Sequence, residues 1–175
     1  MSMKRTILVW GLLSGAISGG LMLVTIPVAN RIGFERAEIF GYATLVLSAL
    51  MIFFGVRSYR ENVAAGTLTF GRGLLVGLGI ALVASICYVA VWEVVYHSFF
   101  PGFYDDFARH MVEKAQADGA SAERLAGVTK QAEEIRKISE SPLLVVAMTF
   151  AESFPFGLVA AALSSLLLRR RPRAA

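Results

Sequence analysis

The chain has one cysteine, two histidines and five prolines in 175 residues. The single thiol, Cys87, allows no intrachain disulfide, and within an apolar stretch it reads as a small packing residue. His97 and His110 do not form the pair, one helical turn apart, that a helix-borne metalloprotease needs, and there is no Gly-rich phosphate loop. No metal, no cofactor and no soluble-type catalytic centre is therefore expected. No nucleophile has a visible base beside it, so the chain is not expected to be an enzyme. Charge is also scarce: 17 % of residues are charged against 56 % hydrophobic, too apolar for an ordinary soluble domain of this size.

Apolar sequence is what the chain has in quantity, and it comes in blocks. Four runs carry it, 6–29, 39–56, 73–100 and 142–168. Each reaches the roughly 18 to 25 residues that cross about 30 Å of hydrocarbon. Backbone groups in lipid must bond internally, so these runs predict helices. The expected fold class is all-α: an integral membrane four-helix bundle in a single membrane domain, with a helical connector at 101–141. The second run is the shortest, and Gly41 and Thr44 weaken it. Lys4 and Arg5 precede the first run as they would in a signal peptide. Its apolar length exceeds the roughly 7 to 15 residues of such a segment, however, and Pro27-Val28-Ala29 is a poor cleavage site. A retained helix is expected.

Charge then orients the helices. Lys4, Arg5, Arg57, Arg60, Arg72, Arg169, Arg170, Arg171 and Arg173 make nine basic residues in the terminal and 57–72 segments, opposed there by Glu61 alone. Between the third and fourth runs, six basic residues meet eight acidic ones. The positive-inside rule places both termini in the cytoplasm and the connector outside. The basic pI is thus a topology signal, and no nucleic-acid partner is expected. Arg57, Arg60, Arg169, Arg170 and Arg171 are the candidates for cytoplasmic anchoring or for contact with lipid headgroups.

Small residues recur at four-residue spacing: Gly11, Gly15 and Gly19 in the first helix, Gly73, Gly77 and Ala81 in the third. Such stripes let backbones approach closely. They fit packing of helix one on helix three or of one copy on another, and intramolecular packing is favoured because a bundle must first cover its own faces. Where the third run meets the connector, Phe99, Phe100, Phe103 and Tyr104 cluster as an interfacial aromatic belt would. Phe103, Phe107 and Met111, then Leu125, Val128, Ala132 and Ile135, repeat at helical spacing on either side of a break at Asp118-Gly119. Ser121 is an expected N-cap, and Ser141-Pro142 an expected helix start. The connector either lies on the outer leaflet, packs on itself, or serves as a docking platform for a membrane or periplasmic protein partner.

The turn Phe54-Gly55-Val56-Arg57-Ser58-Tyr59-Arg60-Glu61 continues through Gly66-Thr67-Leu68-Thr69-Phe70 to Gly73 and Gly77, and Pro101-Gly102-Phe103 closes the third run. This stretch resembles the bacterial family called domain of unknown function 4199, and the four runs with their long third connector extend the resemblance over essentially the whole chain. The resemblance implies a small bacterial membrane protein. It supplies no activity, cofactor or catalytic residue.

Two carboxylates in the apolar runs lie outside that pattern. Glu93 falls about 30 Å along from Gly73, near the expected outer interface, with His97 one turn later on the same face. Glu152 is the only charge in 142–168, about 15 Å from Pro142 and near the midplane. A carboxylate there costs about 2.5 kcal/mol or more unless it is neutral, paired or wet. Pro155 has no N–H for the carbonyl of Ala151, which leaves an acceptor beside it. Glu152, Glu93 and His97 are accordingly the candidate proton or cation site. The preferred function is a non-enzymatic structural or accessory protein of the bacterial inner membrane, with the lipid bilayer, a protein partner or a second copy as its associates. The alternative is a small proton- or cation-coupled transporter using Glu152.

Overall fold

A computed structural model describes residues 2–32 and 34–170, and side chains outside 26–38, 41, 42 and 45. Among the described residues there are six helices and no strand: α1 (Met3–Ile32), α2 (Phe34–Asn62), α3 (Phe70–Phe99), α4 (Phe103–Ala117), α5 (Ala122–Ser139) and α6 (Pro142–Leu168). Three of them are long and apolar enough to cross a membrane, through Met3–Thr25, Phe70–Phe99 and Pro142–Leu168. Four were expected. The fourth, 39–56, lies in α2, and positions 41, 42 and 45 within it fall outside the described side chains. The helices around the first two turns also run longer than the apolar runs, because hydrogen bonding along the backbone continues past the last apolar residue: α1 reaches Ile32 and α2 begins at Phe34.

Hydroxyl groups do not interrupt these helices, since they bond back onto them. Ser18 Oγ donates to the carbonyl of Ser14 at 2.9 Å, Thr149 Oγ1 to that of Val145 at 2.9 Å and Ser165 Oγ to that of Ala161 at 2.6 Å. Each satisfies its donor within its own helix, which makes a buried hydroxyl tolerable where water is excluded.

The chain divides into two compact units, 1–92 with 150–175, and 93–149. In the first, α1 packs on α3 through its glycine stripe. A Cβ added at Gly11 would lie 2.6 Å from Val83 Cβ, one at Gly19 would lie 2.9 Å from Val91 Cγ2, and one at Gly15 would overlap Cys87 Cβ. The second stripe does not face the first. Gly73 and Gly77 abut Ser165 and Ala161 of α6, and Gly157 of α6 abuts Ala81 in return. Positions 77 and 81 lie well round α3 from 83, 87 and 91 at 100° per residue, so α3 uses one small face for α6 and offers its other side to the glycines of α1. Gly55 of α2 fits between Ile80 and Trp10. Ile52, Val56, Leu68, Val76, Ile80 and Ala161 form the buried core, while Leu8, Leu12, Leu82, Ile86, Leu158 and Leu163 point outward. Small residues sit at the closest helix contacts, and the outward-facing large apolar residues are what a lipid surround accepts.

In the second unit, α4 and α5 form an antiparallel hairpin. Gly119 makes the turn at a φ of 68°, a left-handed conformation that favours glycine. Ser121 caps α5 by accepting from the Arg124 N–H at 3.3 Å. Asp105 and Asp106 occupy the first turn of α4, where the helix dipole favours them. Arg136 near the end of α5 pairs with Asp105 at 3.6 Å, and Phe103 stacks on Phe107 with centroids 6.1 Å apart. Ala108 and Ala132 are buried.

Candidate functional site

Glu152 is presented on the exposed side of α6, with Ala151, Pro155 and Phe156 on the same stripe. Among the described residues no hydrogen bond or ion pair reaches its carboxyl. The helix continues through Pro155 without ending. The side chain is exposed, and no described hydroxyl holds it.

Glu93 and His97 do come together. His97 Nδ1 lies 3.6 Å from Glu93 Oε2 and 3.0 Å from the Glu93 carbonyl oxygen, which competes for the same nitrogen. His97 also meets Tyr96 edge to face at a centroid distance of 5.0 Å. Glu93 Oε1 is buried without a hydrogen-bond partner. Glu93 and Glu152 belong to different compact units. Among the described residues no three His, Cys, Asp or Glu side chains gather as a metal site would require.

The last turns of α2 hold a connected polar group. Glu61 Oε1 accepts from Arg57 Nε at 3.0 Å and from Arg60 Nη2 at 3.1 Å. The hydrogen bond from Arg57, and next that from Arg60, hold the exposed Glu61 carboxyl below its ordinary range. Arg60 Nη1 also donates to the carbonyl of Leu168, the last residue of α6, at 3.4 Å. Guanidinium at a helix C-terminus meets both an orphan carbonyl and the negative end of the dipole. The backbone turns through Ala65 and Gly66, with φ of 50° and 81°. It then brings Leu68 against Arg170: each N–H donates to the other's carbonyl at 2.9 Å. Leu68 is buried in the core between exposed Thr67 and Thr69.

This clasp ties the 62–69 turn to the end of α6, and sequence reasoning did not anticipate it. The available signal was Thr67-Leu68-Thr69, one apolar residue alternating with two β-branched polar ones after a glycine. Of the proposed anchoring residues, Arg57 and Arg60 are engaged with Glu61, Arg60 also with Leu168, and Arg170 through its backbone with Leu68. Arg169 is exposed. Arg171 lies outside the described residues. Gly11, Gly15, Gly19, Gly73 and Gly77 are all buried at helix contacts.

A family model described as "Protein of unknown function (DUF4199)" matches residues 9–170. Neither the curated proteins nor the solved structures gave a match to the chain.

Proposed function

The chain belongs to the DUF4199 family, and on that premise we propose that it is a non-enzymatic accessory protein of a bacterial inner membrane. In this reading it crosses the membrane four times, with both termini cytoplasmic and the α4–α5 hairpin on the outer side. The observation that carries the reading is the hairpin itself. A return loop needs only a few residues, yet here 103–139 are two helices, α5 capped by Ser121, joined by the Arg136–Asp105 pair, with acidic and basic side chains on their exposed faces. Helical and charged on its exposed faces, the hairpin suits a platform for a membrane or periplasmic protein. Photo-crosslinkers placed one at a time at the exposed positions Glu113, Glu123 and Glu134 should each be tested in native membranes. At least one should give a discrete protein adduct. No adduct at any of the three would remove the platform.

Proton or cation coupling is the second reading, favoured by Glu152, which has no partner among the described residues, beside the Ala151 carbonyl that Pro155 leaves without its helical donor. In proteoliposomes loaded with a pH-sensitive dye, the parent and Glu152→Gln should both hold an imposed gradient. Proton movement by the parent that the Gln variant loses would replace the accessory reading with transport.

A further inference from the structure

Of the three apolar helices, α6 is the least covered: 17 % of its apolar stretch is buried, against 39 % in α3. On its open side Ala151, Glu152, Pro155, Phe156 and Val159 form one continuous stripe, all exposed. Two features of this stripe are out of place against lipid. Glu152 has no partner among the described residues, and the Ala151 carbonyl lacks the donor that Pro155 cannot provide. Phe156 and Val159 need no covering in a bilayer; a carboxyl does.

The chemistry of that carboxyl narrows what covers it. A carboxylate in hydrocarbon is neutral or ion-paired, and none of the four apolar runs of this chain contains lysine or arginine. A neutral carboxyl carries one O–H donor and a carbonyl acceptor, so the groups that match it donor for acceptor are a carboxamide and another neutral carboxyl, and the four apolar runs contain no Asn or Gln. A two-fold contact supplies that group without further design, because a residue near the axis meets its own copy. The small side chain of Ala151 beside Glu152 lets a second helix approach closely. The rest of the stripe is apolar and carries no other charge by which a different helix would be selected.

We propose that two copies of the chain associate in the membrane through this face of α6, related by a two-fold axis, with the neutral Glu152 carboxyls hydrogen-bonded to each other. Each site is incomplete alone: the partner's Glu152 supplies the donor and acceptor that no described residue of the chain provides. The association is independent of the α4–α5 platform, and a negative crosslinking result there leaves it standing.

The test uses the full chain in lipid nanodiscs or liposomes, with oligomeric state read by single-molecule photobleaching across a dilution series. In a Cys87→Ser background, Ala151→Cys should form an oxidative cross-link between copies, whereas Leu8→Cys on the outward face of α1 should not. Glu152→Gln should still dimerise, since two carboxamides also pair donor to acceptor. Glu152→Leu, at an exposed position where folding does not require the carboxyl, should weaken dimerisation at least ten-fold with its thermal transition unchanged. If that variant fails to fold, the cross-linking comparison in the otherwise unaltered chain decides alone. A parent that is monomeric at every dilution, a Leu variant that dimerises as the parent does, cross-linking through Leu8→Cys as efficient as through Ala151→Cys, or a basic helix of another protein cross-linked at Ala151→Cys would each overturn the proposal.

Discussion

Gly15→Leu is expected to abolish the packing of α1 on α3, while Ala16→Leu, one position along the chain, leaves it intact. Gly15 is buried at the closest approach of the two helices, where even a Cβ would overlap Cys87 Cβ. A Leu side chain adds three further carbons at that point, so either the helices separate or α1 rotates. Overpacking of this kind costs up to about 3 kcal/mol. Helix propensity acts in the opposite direction, favouring Leu over Gly by about 0.8 kcal/mol, and is too small to compensate. At roughly 2 to 4 °C per kcal/mol, the thermal transition in detergent should fall by about 5 to 10 °C. Ala16 is exposed, and Leu there adds apolar surface where lipid accepts it. Equal transitions for the two variants would show that the glycine stripe is not a packing device.

The second large effect is all-or-none. A cysteine introduced at Gly119, in a Cys87→Ser background, should react with a membrane-impermeant maleimide in intact cells. Gly119 is the exposed turn between α4 and α5. The proposed orientation rests on charge: nine basic residues against one acidic residue in the terminal and 57–72 segments, and an acidic excess in the connector. The positive φ at Gly119 places a strained cysteine there, so Ala120→Cys serves as a second reporter of the same turn. Labelling of both only after lysis would invert the topology and place the hairpin in the cytoplasm.

Several elements were legible from the residues. Ser121 as N-cap, the Asp118-Gly119 break and the start of α6 at Pro142 follow from local chemistry, because a cap, a left-handed turn and a proline at the first helical position depend on neighbours only a few residues away. Helix ends were less legible: α2 continues beyond Val56 to Asn62, since charged residues do not stop a helix when their backbone groups still find partners. The role of the 54–77 turn was not readable. Its residues were visible as a pattern, but Arg60 meets the Leu168 carbonyl and Leu68 meets Arg170 across a separation of about a hundred positions, and no spacing rule links them.

The sequence by itself determined that this is an all-helical chain with membrane-length apolar helices, because composition and run length act through the solvent: apolar blocks of that size have no stable place in water, and helices satisfy their backbone in lipid. It also determined that two stripes of small residues exist. Only the tertiary structure decided what each stripe meets. Both stripes fit any close helix contact equally well, and the choice lies in how α3 is rotated about its axis. That rotation sets Val83, Cys87 and Val91 against the glycines of α1, and Gly73, Gly77 and Ala81 against α6. It likewise decided that Glu152 faces outward. A carboxylate in an apolar helix announces an energetic problem from the sequence alone, but the direction in which the side chain points depends on which faces of α6 its neighbours have already taken.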